Sequence, residues 1–294
     1  MKVKTTKYGY LNATGALRYT MTNDYLFRMV LQRDKDTLIN LICALLHLKR
    51  CQVKECNIAN PIEPGMTIDG KEYQLDIVVV LNTDVIVNLE MQVINYENWP
   101  MRSLSYLCRR FDNISRGKDY LTASTVYQIG FLDFTLFEEH PEFFAKYQLR
   151  NARDNFLYTD KFNLFVVELN NTEIATKEDV DNNIVAWAKL FKAKTWEEIK
   201  MITKENPSMN STAEAIYKST ADYVIAEQCR IREDNIAHEK IQAEQLKNLK
   251  KELATTKEER DTATKEIQTL SSTISDQAAI IAQLQAELAK YKRN

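Results

Sequence analysis

The stretch QLDIVVVLNTDVIVNLEMQV, residues 74 to 93, decides the fold because it holds two runs of Val, Ile and Leu on either side of a short polar loop. The β-branched composition of these runs predicts a β-hairpin with strands over 74–81 and 85–92. The runs nevertheless contain two acids, Asp76 and Glu90. An ionised carboxylate inside an apolar sheet costs several kcal/mol unless it is paired or binds a metal, so packing alone does not explain these residues.

The register of the hairpin decides whether the two acids meet. If the loop is residues 82–84, Leu81 pairs with Val85, and counting back along both strands places Asp76 opposite Glu90. Carboxylates facing each other at that spacing repel, so the pair favours a divalent ion with oxygen ligands, Mg²⁺ or Mn²⁺, over zinc. Two other interpretations stay open: Glu90 pairs with a buried arginine, or one acid lies exposed at a strand end. A two-residue loop would also move Asp76 off Glu90.

Side-chain alternation divides the second strand into a polar and an apolar face. Asn88, Glu90 and Gln92 fall on one face, whereas Val87, Leu89, Met91 and Val93 fall on the other.

The remaining periodicity predicts an α/β core with a mixed sheet. One helix or two short ones are expected over about 22 to 48, with Thr22 or Asn23 as the N-cap, and another from about 99 to 116, ended by Gly117. Further strands are predicted in TVYQIGFLDFTLF and KFNLFVVELN, and a short one in NPIEPGMTIDGKEYQ. Helical segments follow in EDVDNNIVAWAKLFKA, TWEEIKMITKE and TAEAIYKSTADYVIAEQCRIRED.

A heptad pattern runs through the end of the sequence, without Gly or Pro to interrupt it. This seam predicts a coiled coil; the alternative is a long amphipathic helix that folds back on its own domain. Polar residues at three seam positions, Thr256, Arg260 and Gln277, would weaken the seam and set its register or strand number. The seam consists of Leu246, Leu249, Leu253, Thr256, Arg260, Ala263, Ile267, Leu270, Ile274, Gln277, Ile281, Leu284, Leu288 and Tyr291.

Composition narrows the class of protein. The 294 residues carry 39 basic and 41 acidic side chains, so the total charge does not demand a nucleic-acid partner, although a local basic surface remains compatible with one. Neither a membrane helix nor a signal-peptide core is evident, so we expect no membrane association and a cytoplasmic location. The five cysteines lack CxxC spacing and the three histidines do not cluster with them, which argues against a zinc site or a disulfide scaffold.

At this point the sequence resembles a known family. Asp76, the spacing of fourteen to Glu90 and the tripeptide Glu90-Met91-Gln92 resemble the D…(E/D)xK core of the PD-(D/E)XK nuclease superfamily. They are more similar still to its transposase-like, recombination-promoting branch, in which E-x-Q replaces E-x-K. The resemblance spans about 20 to 240 and implies a restriction-endonuclease-like core. Its supporting residues are TNDYLFRMVL, GKEYQLDI, NLEMQV, Arg102, Tyr106, Arg109 and KDYLTASTVYQIGFLDF.

The resemblance implies a metal-dependent DNA endonuclease that uses Mg²⁺, with Mn²⁺ as a possible substitute. Asp76 and Glu90 would be catalytic metal ligands and Gln92 a third catalytic residue. The backbone carbonyl of Met91 would lie near the ion, and Asp24 would be an additional ligand or orienting group. Asp24 has a simpler interpretation, since an acid in the first turn of a helix interacts favourably with the helix dipole.

Basic residues on and after the predicted helix 99–116 are candidates for contacts with DNA phosphates. The spacing from 102 to 109 to 116 puts three of them in one row; the alternative is a solvated, charged helix face. The candidates are Arg102, Arg109, Arg110, Arg116 and Lys118.

Two departures from the family pattern bear on activity. Leu75 replaces the proline before the aspartate, which costs little, and Gln92 replaces the lysine. An amide supplies no positive charge to the transition state, and the loss of one preorganised contact typically costs about 10²–10³ in rate. Gln92 could still orient water through its amide, and Lys71 is a possible source of charge.

The sequence therefore predicts an N-terminal arm over 1–20, a nuclease core over 21–172, a helical extension over 173–240 and a coiled-coil segment over 241–294. The leading hypothesis is an endonuclease that forms a homo-oligomer through 242–291, so that two sites act on two DNA strands. One alternative is a catalytically inactive nuclease fold that serves as a coiled-coil scaffold or nucleic-acid-binding module. Another is a helical tail that pairs with a different protein.

Overall fold

The computed structural model describes residues 7–60, 77–112 and 119–291, with side chains up to 288. The chain divides into two compact units, Met1–Glu239 and Lys240–Asn294. Within the described residues, no helix combines the length and the apolarity needed to cross a bilayer.

The first unit is built around a mixed sheet whose strand order is β1-β2-β3-β4-β6-β5. Strands β3, β4 and β6 run parallel at its centre, whereas β1, β2 and β5 pair antiparallel with their neighbours. This α/β architecture confirms the predicted fold class. The strands are β1 (Cys56–Ile58), β2 (Ile77–Leu81), β3 (Val85–Gln92), β4 (Thr125–Leu132), β5 (Phe144–Gln148) and β6 (Phe162–Glu168).

Eight α-helices accompany the sheet among the described residues. Asn23 is the N-cap of the first helix, since its side chain accepts a hydrogen bond from the backbone N–H of Leu26. The helices are α1 (Asp24–Arg33), α2 (Lys35–Leu46), α3 (Trp99–Phe111), α4 (Lys177–Asp181), α5 (Ile184–Lys192), α6 (Trp196–Glu205), α7 (Asn210–Ala221) and α8 (Tyr223–Tyr291).

The hairpin between β2 and β3 has the expected register over its described residues, with Leu81 opposite Val85 and Ile77 opposite Leu89. Asn82 adopts a left-handed backbone conformation in the turn, with φ of 47°. Its side-chain oxygen accepts hydrogen bonds from the backbone N–H groups of Lys54 and Glu55, so the loop is tied to the chain before β1.

The two faces of the sheet are covered differently. The odd-numbered residues of β3, such as Leu89 and Met91, join the large apolar core formed with α1, α2 and α5 to α7. On the opposite face, two smaller apolar clusters include Leu107 and Trp99 of α3. Glu90 therefore lies on the face covered by α3, as side-chain alternation predicted.

Some sequence-based helix boundaries were wrong, and two strands were not predicted. Helix α3 ends at Phe111, because Asp112 leaves the helical conformation, whereas the end was predicted at about 116. The segment predicted as one helix over 212–234 is two, because the Asp222 carboxylate accepts hydrogen bonds from the N–H groups of Val224 and Ile225 and so starts α8. Strands β1 and β5 were not predicted, whereas the strand expected in 60–74 lies almost entirely outside the described residues.

The second unit consists of the later part of α8. Its apolar seam side chains from Leu246 to Leu288 are 52% to 70% exposed. An exposed apolar row of this kind is the pattern of a helix that pairs with another helix in a coiled coil.

Candidate nuclease site

Glu90 is the acid around which the candidate site is built. It lies near the end of β3 and is 3% exposed, so its carboxylate is removed from bulk water. Arg102 of α3 contacts it, with Nη2 2.5 Å from Oε1. Pairing with a buried arginine was one of the interpretations left open for Glu90; Arg102 is half-buried, with 33% of its side chain exposed. The ion pair compensates for the cost of burying this charge.

A ladder of amide groups holds the other side of the carboxylate. Asn88 and Gln128 occupy paired positions on β3 and β4, and Asn88 Nδ2 donates to Gln128 Oε1 at 2.8 Å. Gln128 Nε2 in turn donates to Glu90 Oε2 at 3.4 Å. Because all three side chains are buried, this polar line is shielded from competition by solvent.

A glycine makes room for the helix that carries Arg102. Gly130 pairs with Glu90 in the parallel ladder, and a Cβ atom at this position would overlap the indole ring of Trp99. Trp99 is buried and begins α3. The missing side chain thus lets α3 approach the sheet closely enough for Arg102 to reach Glu90.

Gln92, the candidate third catalytic residue, ends β3. Its Nε2 donates to the backbone oxygen of Ile94 at 2.9 Å, while its own backbone oxygen accepts from Asp133. The amide is therefore oriented by the chain that leaves the strand. The neighbouring Met91 points its side chain into the large core.

Asp24 belongs to a second polar cluster. It begins α1 and is buried, and Arg232 Nε donates to its two carboxylate oxygens at 2.8 and 2.9 Å. Arg232 also donates from Nη1 to Glu239, whose second oxygen accepts from the Tyr96 hydroxyl. Burial raises the pKa of Asp24, and the hydrogen bond and charge of Arg232 act in the opposite direction. Burial and the hydrogen bond to Glu239 raise the pKa of Tyr96 to about 12.

The basic residues that were predicted to contact DNA differ in where they point. Arg109 and Arg110 lie in the last turn of α3, where Arg109 is exposed and Arg110 is half-buried. Arg102, by contrast, points toward Glu90 and stacks on Tyr106, with its guanidinium 5.4 Å from the ring centroid. The residues Asp76, Lys71, Arg116 and Lys118 lie outside the described residues.

The chemistry of Glu90 fits a divalent ion. A carboxylate offers about four lone-pair sites, so this one can accept from Arg102 and Gln128 and still bind a cation that prefers oxygen. Over residues 7–60, 77–112 and 119–291, no three His, Cys, Asp or Glu side chains form a cluster suited to a metal. The second carboxylate of the predicted pair, Asp76, is outside that range.

Several residues of the two polar clusters were missed by sequence reasoning. Gln128 carried a usable signal, since it is a polar residue in the apolar run TVYQIGFL, as Glu90 is in its own strand. Arg232 and Glu239 carried none, because charged residues are common on a helix surface and their partners are about 140 to 210 positions away.

Comparison with known proteins supports the same family as the motif. A family model described as PD-(D/E)XK nuclease family transposase matches residues 21–244, which include both polar clusters. No curated protein and no solved structure matches the chain.

Proposed function

The chain belongs to the PD-(D/E)XK nuclease family of transposases, and from that premise we propose that it is an endonuclease of the recombination-promoting type that hydrolyses DNA phosphodiester bonds. The observation that carries the proposal is the buried Glu90. We assign it the glutamate position of the family motif; it lies in β3, where Arg102 and Gln128 contact its two oxygens.

Asp76 and Glu90 would hold the divalent ion, Mg²⁺ or Mn²⁺, with the Met91 carbonyl and Asp24 as further oxygen donors. When bound, such an ion neutralises charge on the phosphate and makes water easier to deprotonate. Hard oxygen donors of this kind suit Mg²⁺ and Mn²⁺.

The protein's own side chains supply orientation and charge. Gln128 and Arg102 fix the rotamer of Glu90, and oriented groups of this kind stabilise a transition state without reorganising. Arg102 also brings a positive charge to the site, which Gln92 lacks. The exposed Arg109, with Arg110, Arg116 and Lys118, would bind the DNA backbone.

Paired active sites would follow from association of the second unit. One site cuts one strand, so a homo-oligomer formed through 242–291 would present two sites to the two strands of a duplex. The uncovered apolar seam of α8 supports this part of the proposal.

The test is cleavage of supercoiled plasmid by the full chain in EDTA, Mg²⁺ and Mn²⁺, with Asp76→Ala and Glu90→Gln compared with wild type. Glu90→Gln keeps the shape of the side chain, so loss of cutting would not reflect a cavity. Glu168→Gln is the matched control, because Glu168 is a buried carboxylate on β6 of the same sheet. We expect metal-dependent cutting that both site variants abolish and the control retains.

One observation favours the second candidate, an inactive nuclease fold that acts as a scaffold. Arg102 compensates the charge of Glu90 through a direct ion pair. A purely structural ion pair predicts no cutting by wild type in any metal. It also predicts that Glu90→Gln lowers the free energy of unfolding, because Arg102 loses its charged partner.

A further inference from the structure

A hydrogen-bonded network joins three separate elements and includes Asp24, one of the candidate metal ligands. Asp24 comes from the start of α1, Arg232 and Glu239 from α8, and Tyr96 from the loop between β3 and α3. All four residues belong to the first unit.

Arg232 is the centre of the network and makes directed contacts on two sides. Its Nε lies 2.8 and 2.9 Å from the Asp24 oxygens, and its Nη1 lies 3.0 Å from Glu239 Oε1. The side chains of Arg232 and Asp24 are 19% and 7% exposed. A planar guanidinium that is hydrogen-bonded on two sides in a largely buried site fixes the orientation of the carboxylates it contacts and also supplies positive charge.

Asn23, the residue before Asp24, is also hydrogen-bonded to α8. Asn23 Nδ2 donates to the backbone oxygen of Cys229 at 3.0 Å, while Asn23 Oδ1 caps α1. Two consecutive residues at the start of α1 are thus held by α8, so the position of the Asp24 carboxylate depends on that helix.

The other end of the network reaches the loop that leaves the catalytic strand. The Tyr96 hydroxyl donates to Glu239 Oε2 at 3.0 Å. Tyr96 lies between Gln92, the last residue of β3, and Trp99, the first residue of α3. The same contact with α8 therefore restrains the loop from which α3 and Arg102 follow.

We propose that Arg232 and Glu239 of α8 are positioning residues of the nuclease site. Arg232 holds the Asp24 carboxylate of α1 in the position where it would bind a divalent ion. Glu239 restrains, through Tyr96, the loop that precedes α3. The inference rests on the proposed function. It adds to the site a helix that no sequence motif assigned to it. Groups that orient metal ligands typically change metal affinity by about 10–100-fold when they are removed.

The experiment compares Arg232→Gln, Arg232→Lys and Tyr96→Phe with wild type in the full chain. Arg230→Gln is the matched control, because Arg230 lies on the same helix and makes ion pairs only within it among the described contacts, with Glu227 and Asp234. Each protein is titrated with Mn²⁺ by calorimetry, assayed for the Mn²⁺ concentration that half-saturates plasmid cleavage, and melted to record Tm.

We expect Arg232→Gln to raise both the Mn²⁺ Kd and the half-saturating concentration by about 10–100-fold. Arg232→Lys should lose less Mn²⁺ affinity than Arg232→Gln, since lysine keeps the positive charge but lacks the planar N–H donors of the guanidinium. Tyr96→Phe should give a smaller rise in both quantities, and Arg230→Gln should match wild type.

A fall in Tm for Arg232→Gln with unchanged Mn²⁺ affinity would show that the network anchors helices only, and it would overturn the inference while the nuclease proposal stands. If Arg232→Gln does not fold, Tyr96→Phe and Glu239→Gln decide, and unchanged Mn²⁺ affinity in both overturns the inference. Wild-type protein that neither binds Mn²⁺ nor cuts plasmid would overturn both proposals.

Discussion

Single residues would set the charge of the proposed site. Replacing Gln92 tests whether an added positive charge increases the rate. Its amide cannot supply the positive charge of a lysine to a developing phosphate charge. Gln92→Lys should therefore raise the single-turnover rate of plasmid cleavage at saturating Mg²⁺ by about 10-fold or more, up to the ~10²–10³ by which one preorganised contact typically changes a rate. Gln92→Met, which adds no charge, is the control and should not accelerate cleavage. An unchanged rate with lysine would mean that Arg102 already provides the needed charge.

His47 offers a residue-scale test of stability against pH. Burial and the charge of Lys146 lower the pKa of His47 below 6.5, and Glu178 offsets part of this. As pH falls through this region, the unfolded chain takes up a proton that the folded chain resists, so the folded state loses stability in acid. His47 has φ of 53°, a left-handed conformation that asparagine tolerates.

His47→Asn should therefore reduce the acid sensitivity without straining the backbone. Urea unfolding at about pH 7.5 and about pH 5.5 measures the difference in free energy of unfolding between the two conditions. That difference should be smaller in the variant than in wild type. An equal difference in both proteins would show that other groups cause the acid sensitivity.

Sequence patterns carry more information about which residues are candidates for the site than about the contacts of those residues. Glu90 was identified by its contrast with the apolar residues around it, a local signal. Arg102 was predicted to contact phosphate, and in the fold its guanidinium contacts Glu90, because α3 packs on the sheet over β4 and β6, and β4 lies next to β3. The direction of a side chain depends on how two elements pack, and spacing within one helix does not contain that information.

At the scale of elements, the contact between β4 and α3 depends on Gly130. Gly130→Ala would force a methyl group into the buried indole of Trp99. Overpacking of this kind costs roughly 1–3 kcal/mol, and it would also push α3, with Arg102, away from Glu90. Urea unfolding should show the loss of stability, and plasmid cleavage should slow. Adding Trp99→Phe should make the alanine less costly than it is alone, and additive effects of the two changes would refute the contact.

The elements that were predicted and those that were missed differ in how they are stabilised. The hairpin strands carry long β-branched runs, and their burial follows from those runs. Strand β1 has three residues and β5 is a half-exposed edge strand, FAKYQ, so neither has an apolar pattern that stands out. Both depend on pairing with a neighbouring strand, which is a tertiary effect.

For the whole molecule, the family match and the heptad seam occupy different parts of the chain. The match ends at 244, before the first seam residue, Leu246. Arg232 and Glu239 fall inside the matched region, which suits a role in the site. The chemistry and the proposed oligomerisation are therefore assigned to separate segments and can be tested by separate substitutions.

The seam predicts that the chain associates through α8. Combined with the proposed nuclease activity, it also predicts that association determines whether one or both strands of a duplex are cut. Leu270→Asp with Ile274→Asp places two charges at exposed seam positions, where a coiled coil would have to bury them. Sedimentation equilibrium should then give a monomer, and plasmid should be nicked rather than linearised. Ser272→Asp lies off the seam on the same turns and should leave the mass and the products unchanged. A wild-type protein that is monomeric at every concentration measured would contradict self-association and favour a seam that pairs with another protein.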